Sequence, residues 1–146
     1  MALSEIIQDK AIRNSIADDC TQLIDRQVSA KSGLGGMALK ATYSVVKSVG
    51  AGYIPGAIQR LLPEVCAALD PLWEEGGKTG NPVQHLSQNR SQAAEAILAV
   101  TDRRAEKTSS KVVRSSYNKL RNSVKGDVEA AVPEVAQILG RHALVS

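Results

Sequence analysis

Two stretches of the sequence, residues 37–69 and residues 111–139, share one pattern, and this internal similarity constrains the fold more than any single motif does. Each stretch places a tyrosine between two cations, as Lys40-x-x-Tyr43-x-x-x-Lys47 and as Arg114-x-x-Tyr117-x-x-x-Arg121. Each then continues into a Pro-Glu-Val-x-x-x-Leu segment, at residues 63–69 and 133–139. Self-similarity at this spacing is typical of a duplicated structural unit.

The second part of the repeated pattern has the spacing of an amphipathic helix. Its apolar residues recur at i, i+4, i+7 and i+11, which places them on one helical face. A weaker similarity lies upstream, where Ile24-Asp25-Arg26 resembles Thr101-Asp102-Arg103. We therefore predict two similar three-helix units; the alternative is that two amphipathic helices share a period and nothing else. The matching apolar residues are Ile58, Leu62, Val65 and Leu69 in the first copy and Val128, Val132, Val135 and Leu139 in the second.

The apolar spacing and the turn residues together predict a single all-α domain, residues 1–146, with about six helices. Pro63 and Pro133 each remove a backbone donor inside a helix, so we expect a kink or a break at both. The Gly-rich segment 76–81 predicts a linker between halves at about 1–75 and 82–146. No window alternates with period two, so no sheet is expected. The predicted helices span about 3–26, 37–49, 55–73, 82–106, 109–125 and 127–139.

Turn and capping residues place the helix ends. The cluster Gly33–Gly36 predicts a flexible turn. Asn81 followed by Pro82 is a helix start signal, with the asparagine as the cap. Thr108 or Ser109 is expected to cap the fifth helix, and residues 126–127 are expected to break the chain and cap the sixth.

The composition predicts an aliphatic core in a reducing compartment. The chain has no Phe, one Trp and three Tyr, while 43% of its residues are apolar. Such a core is built from Leu, Ile, Val and Ala on closely packed helices. Cys20 and Cys66 are isolated in sequence and predict buried free thiols. The N-terminal segment is too polar for a signal peptide, and no apolar run is long enough for a membrane span, so we expect a cytoplasmic protein.

Charge is segregated along the chain although the net charge is only +3. Residues 26–63 carry five cations and no acid, and residues 107–125 carry six cations and no acid. The remainder is acidic, so each half has a basic middle helix between acidic helices. This arrangement predicts either a surface for an anionic partner or charge pairing between helices or subunits.

The two tyrosines with their flanking cations form the candidate site that the sequence offers. At about 100° per residue, Tyr43 and Tyr117 lie at the edge of the apolar stripe. One interpretation is a core rim covered by aliphatic stems. The other is that each hydroxyl and its two cations bind a phosphate or carboxylate. The candidate anion-binding residues are Lys40, Tyr43, Lys47, Arg114, Tyr117 and Arg121.

No motif predicts catalysis, a cofactor or a metal. Gly77-Lys78-Thr79 resembles the end of a phosphate-binding loop, but Leu72 stands where that loop requires glycine. His85 and His142 have no sequence partner for acid–base or metal chemistry. The scarcity of aromatic residues and the small net charge argue against nucleic acid.

Several short segments of the sequence resemble a family of uncharacterised small bacterial all-helical proteins, a domain of unknown function. These segments include Ile54-Pro55, Asp70-Pro71-Leu72-Trp73, Leu98-Ala-Val-Thr-Asp102 and Tyr117-Asn-Lys-Leu120-Arg121. The resemblance covers most of the chain and implies a bacterial cytosolic helical protein without an assigned activity.

Three functional hypotheses follow from the sequence. The first is a non-enzymatic interaction or self-association module, with a protein partner or a homo-oligomer. The second is a binder of a small anionic or phosphorylated ligand at the tyrosine sites. The third is an enzyme whose site is assembled only in space.

Overall fold

A computed structural model describes residues 2–50, 52–121 and 124–143, and these residues form an all-α fold with no strand among them. The described residues contain eight helices. They are α1 (Leu3–Ile6), α2 (Lys10–Ala30), α3 (Gly33–Lys47), α4 (Tyr53–Lys78), α5 (Pro82–Gln88), α6 (Arg90–Lys107), α7 (Lys111–Arg121) and α8 (Lys125–Ala143).

Four long helices form the centre of the fold. Helix α2 contacts α4, α4 contacts α6, α6 contacts α8, and α8 contacts α2, so the four close into a ring. The short helices α1 and α5 both pack against α4 and α8, and α3 and α7 pack against each other. Cys66, Leu69 and Trp73 from α4 lie in the core with Leu86, Val132 and Leu139. The core is aliphatic around one tryptophan, as the composition predicted.

The prediction of about six helices was wrong, because two of the predicted helices are each divided in two. The segment 3–26 is divided before Lys10, where Oδ1 of Asp9 accepts hydrogen bonds from the backbone N–H groups of Ala11 (2.9 Å) and Ile12 (3.2 Å). The segment 82–106 is divided at Asn89, whose Nδ2 donates to the carbonyl oxygen of His85 at 2.8 Å. Such short polar side chains offer the backbone an alternative to the continuous helix.

The proline-containing helices are continuous. Helix α4 passes through Pro63 and Pro71, and α8 passes through Pro133, so the expectation of a break into shorter helices was wrong. A proline inside a helix costs about 3 kcal/mol, and burial of several large side chains offsets such a cost. Leu62 and Cys66 flank Pro63 and are both buried. A kink at each proline stays a prediction.

Several helix ends differ from the sequence expectations. Asn81 caps α5 as predicted, since its Oδ1 accepts from the backbone N–H of Gln84 at 3.0 Å. Helix α7 is capped by Ser110 and not by Thr108 or Ser109, because Oγ of Ser110 accepts from the N–H of Val113 at 3.2 Å.

The glycine segments are largely helical. Helix α4 continues through Gly76 and Gly77 to Lys78, so only residues 79–81 separate it from α5. Gly76 is buried against α5, where an added Cβ would lie 2.6 Å from Cβ of His85. The expected turn at Gly33–Gly36 is the first turn of α3, which begins at Gly33 with a φ of 79°. Residues 126–127 lie inside α8, and the preceding residues 122–123 are outside the described part.

Candidate functional site

The second tyrosine site is a compact cluster between α6 and α7. Tyr117 on α7 donates its hydroxyl hydrogen to Oδ1 of Asp102 on α6. Arg121, one turn further along α7, binds the same carboxylate through two nitrogens, with Nε 2.8 Å from Oδ1 and Nη2 3.2 Å from Oδ2. Oγ1 of Thr101 lies 2.7 Å from the Tyr117 hydroxyl. Every polar group of this cluster therefore has a partner within the chain.

The first tyrosine site repeats the same arrangement between α2 and α3. Tyr43 on α3 donates to Oδ1 of Asp25 on α2 at 2.5 Å, and Nζ of Lys47 lies 3.5 Å from the same oxygen. Nζ of Lys47 also lies 5.1 Å from the centre of the Tyr43 ring, within the range of a cation–π contact. The single ammonium replaces the two-pronged guanidinium of the second cluster, so this cluster is the looser one.

The electrostatics of both clusters favour a neutral phenol beside an ionised carboxylate. Burial, and then the hydrogen bond to Asp102, raises the pKa of Tyr117 to about 12. Burial and the bond to Asp25 raise the pKa of Tyr43 well above its ordinary value. The guanidinium of Arg121 holds the pKa of Asp102 below its usual range. Neither phenol is thus prepared to act as a base or a nucleophile near neutral pH.

Four of the six candidate anion-binding residues belong to these clusters, and two do not. Tyr43 with Lys47 and Tyr117 with Arg121 each bind a carboxylate of the chain itself. Lys40 is exposed and outside the first cluster. Arg114 turns away from the second and donates to the carbonyl oxygen of Thr108 at 2.5 Å. An internal carboxylate thus occupies the position that the sequence suggested for an external anion.

Sequence reasoning missed the two residues that complete the clusters, Asp25 and Asp102. A signal was present, because the similarity of residues 24–26 to residues 101–103 contains both aspartates. That similarity indicated a repeat. It did not indicate a contact, because the sequence spacing does not show that each aspartate lies against the helix that follows it.

Ion pairs engage five of the eleven cations in the two basic stretches. Several cations of the two basic stretches bind acids on other helices, which is the pairing between helices that the sequence left open. Most of these pairs are partly exposed, so each contributes little to stability by itself. The pairs are Arg26–Glu134, Lys31–Asp127, Lys47–Asp25, Arg121–Asp102 and Lys125–Glu95.

The outward sides of α3 and α7 carry cations without such partners. We define the basic face as Lys40, Lys111, Arg114 and Lys119, all of which are exposed and make no ion pair among the described residues. Large apolar side chains on the same two helices and the turn after α3 are also exposed; Met37 has 68% of its surface exposed. The other exposed apolar residues are Val45, Val49 and Val112.

In the described part of the chain, the thiols are buried and each histidine lies beside a carboxylate. Burial raises the pKa of Cys66 to about 12 and that of Cys20 to about 11, so neither thiol is activated. Nε2 of His142 lies 3.1 Å from Oδ2 of Asp19, and Nε2 of His85 lies 3.7 Å from Oε2 of Glu75. No group of three His, Cys, Asp or Glu side chains in the described ranges is arranged to hold a metal ion.

These features define an all-helical bundle protein with two internal Asp–Tyr–cation clusters. The chain belongs to a family of unknown function, DUF6918, whose model matches residues 3–143. The resemblance noted in the sequence is confirmed, while the bacterial source stays a prediction. No curated protein and no solved structure matches the chain. Within the described residues, no helix combines the length and the apolar character needed to cross a membrane.

Proposed function

We propose that the protein is a non-enzymatic cytosolic interaction module that binds an acidic protein through the basic face. The observation that carries this proposal is the combination of unpaired cations and exposed apolar side chains on α3 and α7, two helices that pack against each other. Five other basic residues of the same stretches are paired with acids on other helices. Exposed apolar side chains among cations are typical of a binding surface.

Charge favours an acidic partner over a second copy of the chain. In a symmetric dimer through α3 and α7, each basic face would meet an identical basic face, and like charges in contact oppose association. An acidic surface with apolar residues at its centre would complement both the charge and the exposed Met37, Val45 and Val112. We therefore expect a partner with a negatively charged interface and an affinity that falls with salt.

The proposed surface is simplest to explain if the chain is a duplication, with α1–α4 equivalent to α5–α8. Three observations support this view: each half begins with a short helix, each has an Asp–Tyr–cation cluster, and α2–α4 and α6–α8 contacts match. The basic face would then be the meeting of two equivalent helices, α3 and α7. A partner with two similar acidic elements would fit such a face.

The test is to identify the partner and measure how its affinity depends on the face. Proximity labelling in the native cells would supply the partner, and calorimetry with purified proteins would supply Kd. Reversing the four cations of the face should weaken binding at least tenfold, because each charge at an interface contributes a fraction of 1 kcal/mol. The variant is Lys40→Glu with Lys111→Glu, Arg114→Glu and Lys119→Glu.

A matched control reverses four other exposed cations and changes the net charge equally. It should bind the partner within about threefold of the unmodified chain, since binding depends on the face and not on overall charge. Equal losses in both variants would overturn the proposal. So would a nuclease-sensitive complex with nucleic acid, or a dimer in light scattering that the face variant abolishes. The control is Lys10→Glu with Lys78→Glu, Arg90→Glu and Arg103→Glu.

A further inference from the structure

A cavity of about 350 Å³ lies between α3, α4, α6 and α7, apart from the basic face. Its volume is within the range of small-molecule sites. The walls are mainly aliphatic side chains together with two tyrosines, and these side chains are only partly buried although they are large. The wall residues that matter here are Val46, Ile54, Ile58, Leu61, Val113 and Tyr117.

Two of the polar groups around this cavity are already engaged. Tyr117 lines the cavity, and its hydroxyl donates to Asp102. Nη2 of Arg104 lies 2.7 Å from Oε1 of Glu64 and donates to the carbonyl oxygen of Arg60 at 3.2 Å. These bonds join α4, α6 and α7 around the cavity.

Three further polar side chains that line the cavity share one chemical character. Arg60 and Lys107 are among the residues that line the cavity, and neither makes an ion pair among the described residues. Tyr53 also lines the cavity, and its hydroxyl has no hydrogen-bond partner among the described residues. All three are hydrogen-bond donors, and two are positively charged. A ligand that completes this cavity therefore has an apolar body and an anionic end.

We propose that the cavity binds a linear aliphatic carboxylate of medium length, with its chain on the aliphatic walls and its carboxylate at Arg60 and Lys107. A saturated chain of about eight to ten carbons is the size that a cavity of this volume can enclose. A carboxylate accepts charge-assisted hydrogen bonds from both cations. An alcohol of the same length would lose this attraction, and a quaternary amine would be repelled.

Calorimetry with straight-chain carboxylates below their micelle concentrations tests the proposal. Affinity should rise about fourfold for each added CH₂ as the walls are covered, and it should stop rising once the cavity is full. The matched alcohol should bind at least tenfold more weakly, and the matched alkyltrimethylammonium more weakly still. Equal affinity for the three head groups, or no dependence on chain length, would overturn the proposal.

Two variants test the position of the carboxylate. Arg60→Gln with Lys107→Gln should weaken the binding of decanoate at least tenfold and leave decanol binding unchanged. The control, Arg90→Gln with Arg103→Gln, removes the same charge from exposed positions outside the cavity and should leave both unchanged. If the two double variants bind decanoate equally, the anionic end does not lie at this cavity.

A third variant tests the position of the chain. Ala57 lines the cavity, so Ala57→Phe should fill it and abolish binding, whereas Ala67→Phe on the exposed side of the same helix should not. A melting temperature within a few degrees of the unmodified chain would show that each variant folds. If Ala57→Phe binds decanoate with unchanged affinity, the aliphatic chain does not lie in this cavity and the proposal is overturned.

Two further experiments ask whether the ligand is a free carboxylate or a lipid surface, and whether the cavity binds independently of the basic face. Binding to phosphatidylglycerol vesicles without binding of free decanoate would indicate a lipid surface and overturn the proposal. The variant in which all four cations of the basic face are replaced by Glu should bind decanoate with an affinity within about twofold of that of the unmodified chain. The acidic-partner proposal and this one can therefore fail independently.

Discussion

The Tyr117–Asp102 hydrogen bond makes the most specific prediction about what holds α7 to the bundle. Tyr117→Phe removes the hydroxyl and leaves the ring in place. A hydrogen bond to a charged group contributes about 1.5–3 kcal/mol, and the lower end applies here because the Asp102 side chain is 38% exposed and water can replace the lost donor. We expect a loss of about 1.5 kcal/mol in the free energy of unfolding.

Thermal and urea unfolding would measure this loss. For 146 residues the entropy of unfolding is about 0.3 kcal/mol/K, so Tyr117→Phe should lower Tm by about 5 °C. Tyr43→Phe should cost about half as much, because its carboxylate is 45% exposed and Lys47 binds it at the longer distance of 3.5 Å. Tyr53→Phe is the control, since no bond of its hydroxyl is present among the described residues, and it should be nearly neutral.

A double-mutant cycle that combines Tyr117→Phe with Asp102→Asn isolates the interaction energy between the two side chains. We expect a coupling energy of about 1 kcal/mol at neutral pH. Because the folded state lowers the pKa of Asp102, the carboxylate's contribution is full above about pH 4 and is lost as the pH falls through the folded value. The coupling should therefore shrink in acid. A Tyr117→Phe variant as stable as Tyr53→Phe, or a coupling near zero at pH 7, would refute this account of the cluster.

The dependence of stability on alkaline pH gives an independent check of the role of Tyr117. The folded state raises the pKa of Tyr117 to about 12, above the unfolded value of about 10. The neutral phenol thus stabilises the fold fully below pH 10, and this contribution is lost as the pH rises towards 12. Unmodified protein should lose more stability over that interval than Tyr117→Phe does.

Three further predictions concern the core. Gly76→Ala should destabilise by about 2 kcal/mol, because its Cβ would lie 2.6 Å from Cβ of His85, whereas Gly77→Ala has open space and should stabilise by about 0.5 kcal/mol; chemical denaturation compares the two. Leu69→Ala should cost about 3 kcal/mol in the same assay, since the side chain is fully buried. The thiol of Cys66 is buried with a pKa raised to about 12, so a thiol reagent at pH 8 should label it only after local opening, and labelling as fast as in urea would contradict this.

The helical class could be predicted from the sequence because spacing within one segment reports which face is buried. Leu62, Val65 and Leu69 follow that rule, and the first and last of them lie in the core. The breaks at Asp9 and Asn89 were missed because a polar residue within an amphipathic pattern looks like an exposed helical position. The choice between continuing and capping depends on how the flanking segments pack.

For each candidate site, the sequence could predict only the residues that lie on the same helix as the tyrosine. The sequence placed Tyr117 and Arg121 correctly relative to each other, because residues four apart are neighbours on a helix. It could not supply Asp102, which approaches from another helix at an angle that packing determines. The cavity beside Arg60 was not predictable at all, because it is the space that four separate helices leave between them.

The closed ring of long helices has a consequence for how the chain reaches this structure. Helix α2 packs against α8, and the hydrogen bonds between them join residues 108 to 123 positions apart. Contacts between distant residues require long loops to close, which slows folding. During synthesis, the side of α2 that α8 covers in the folded protein therefore stays exposed to solvent until α8 has left the ribosome.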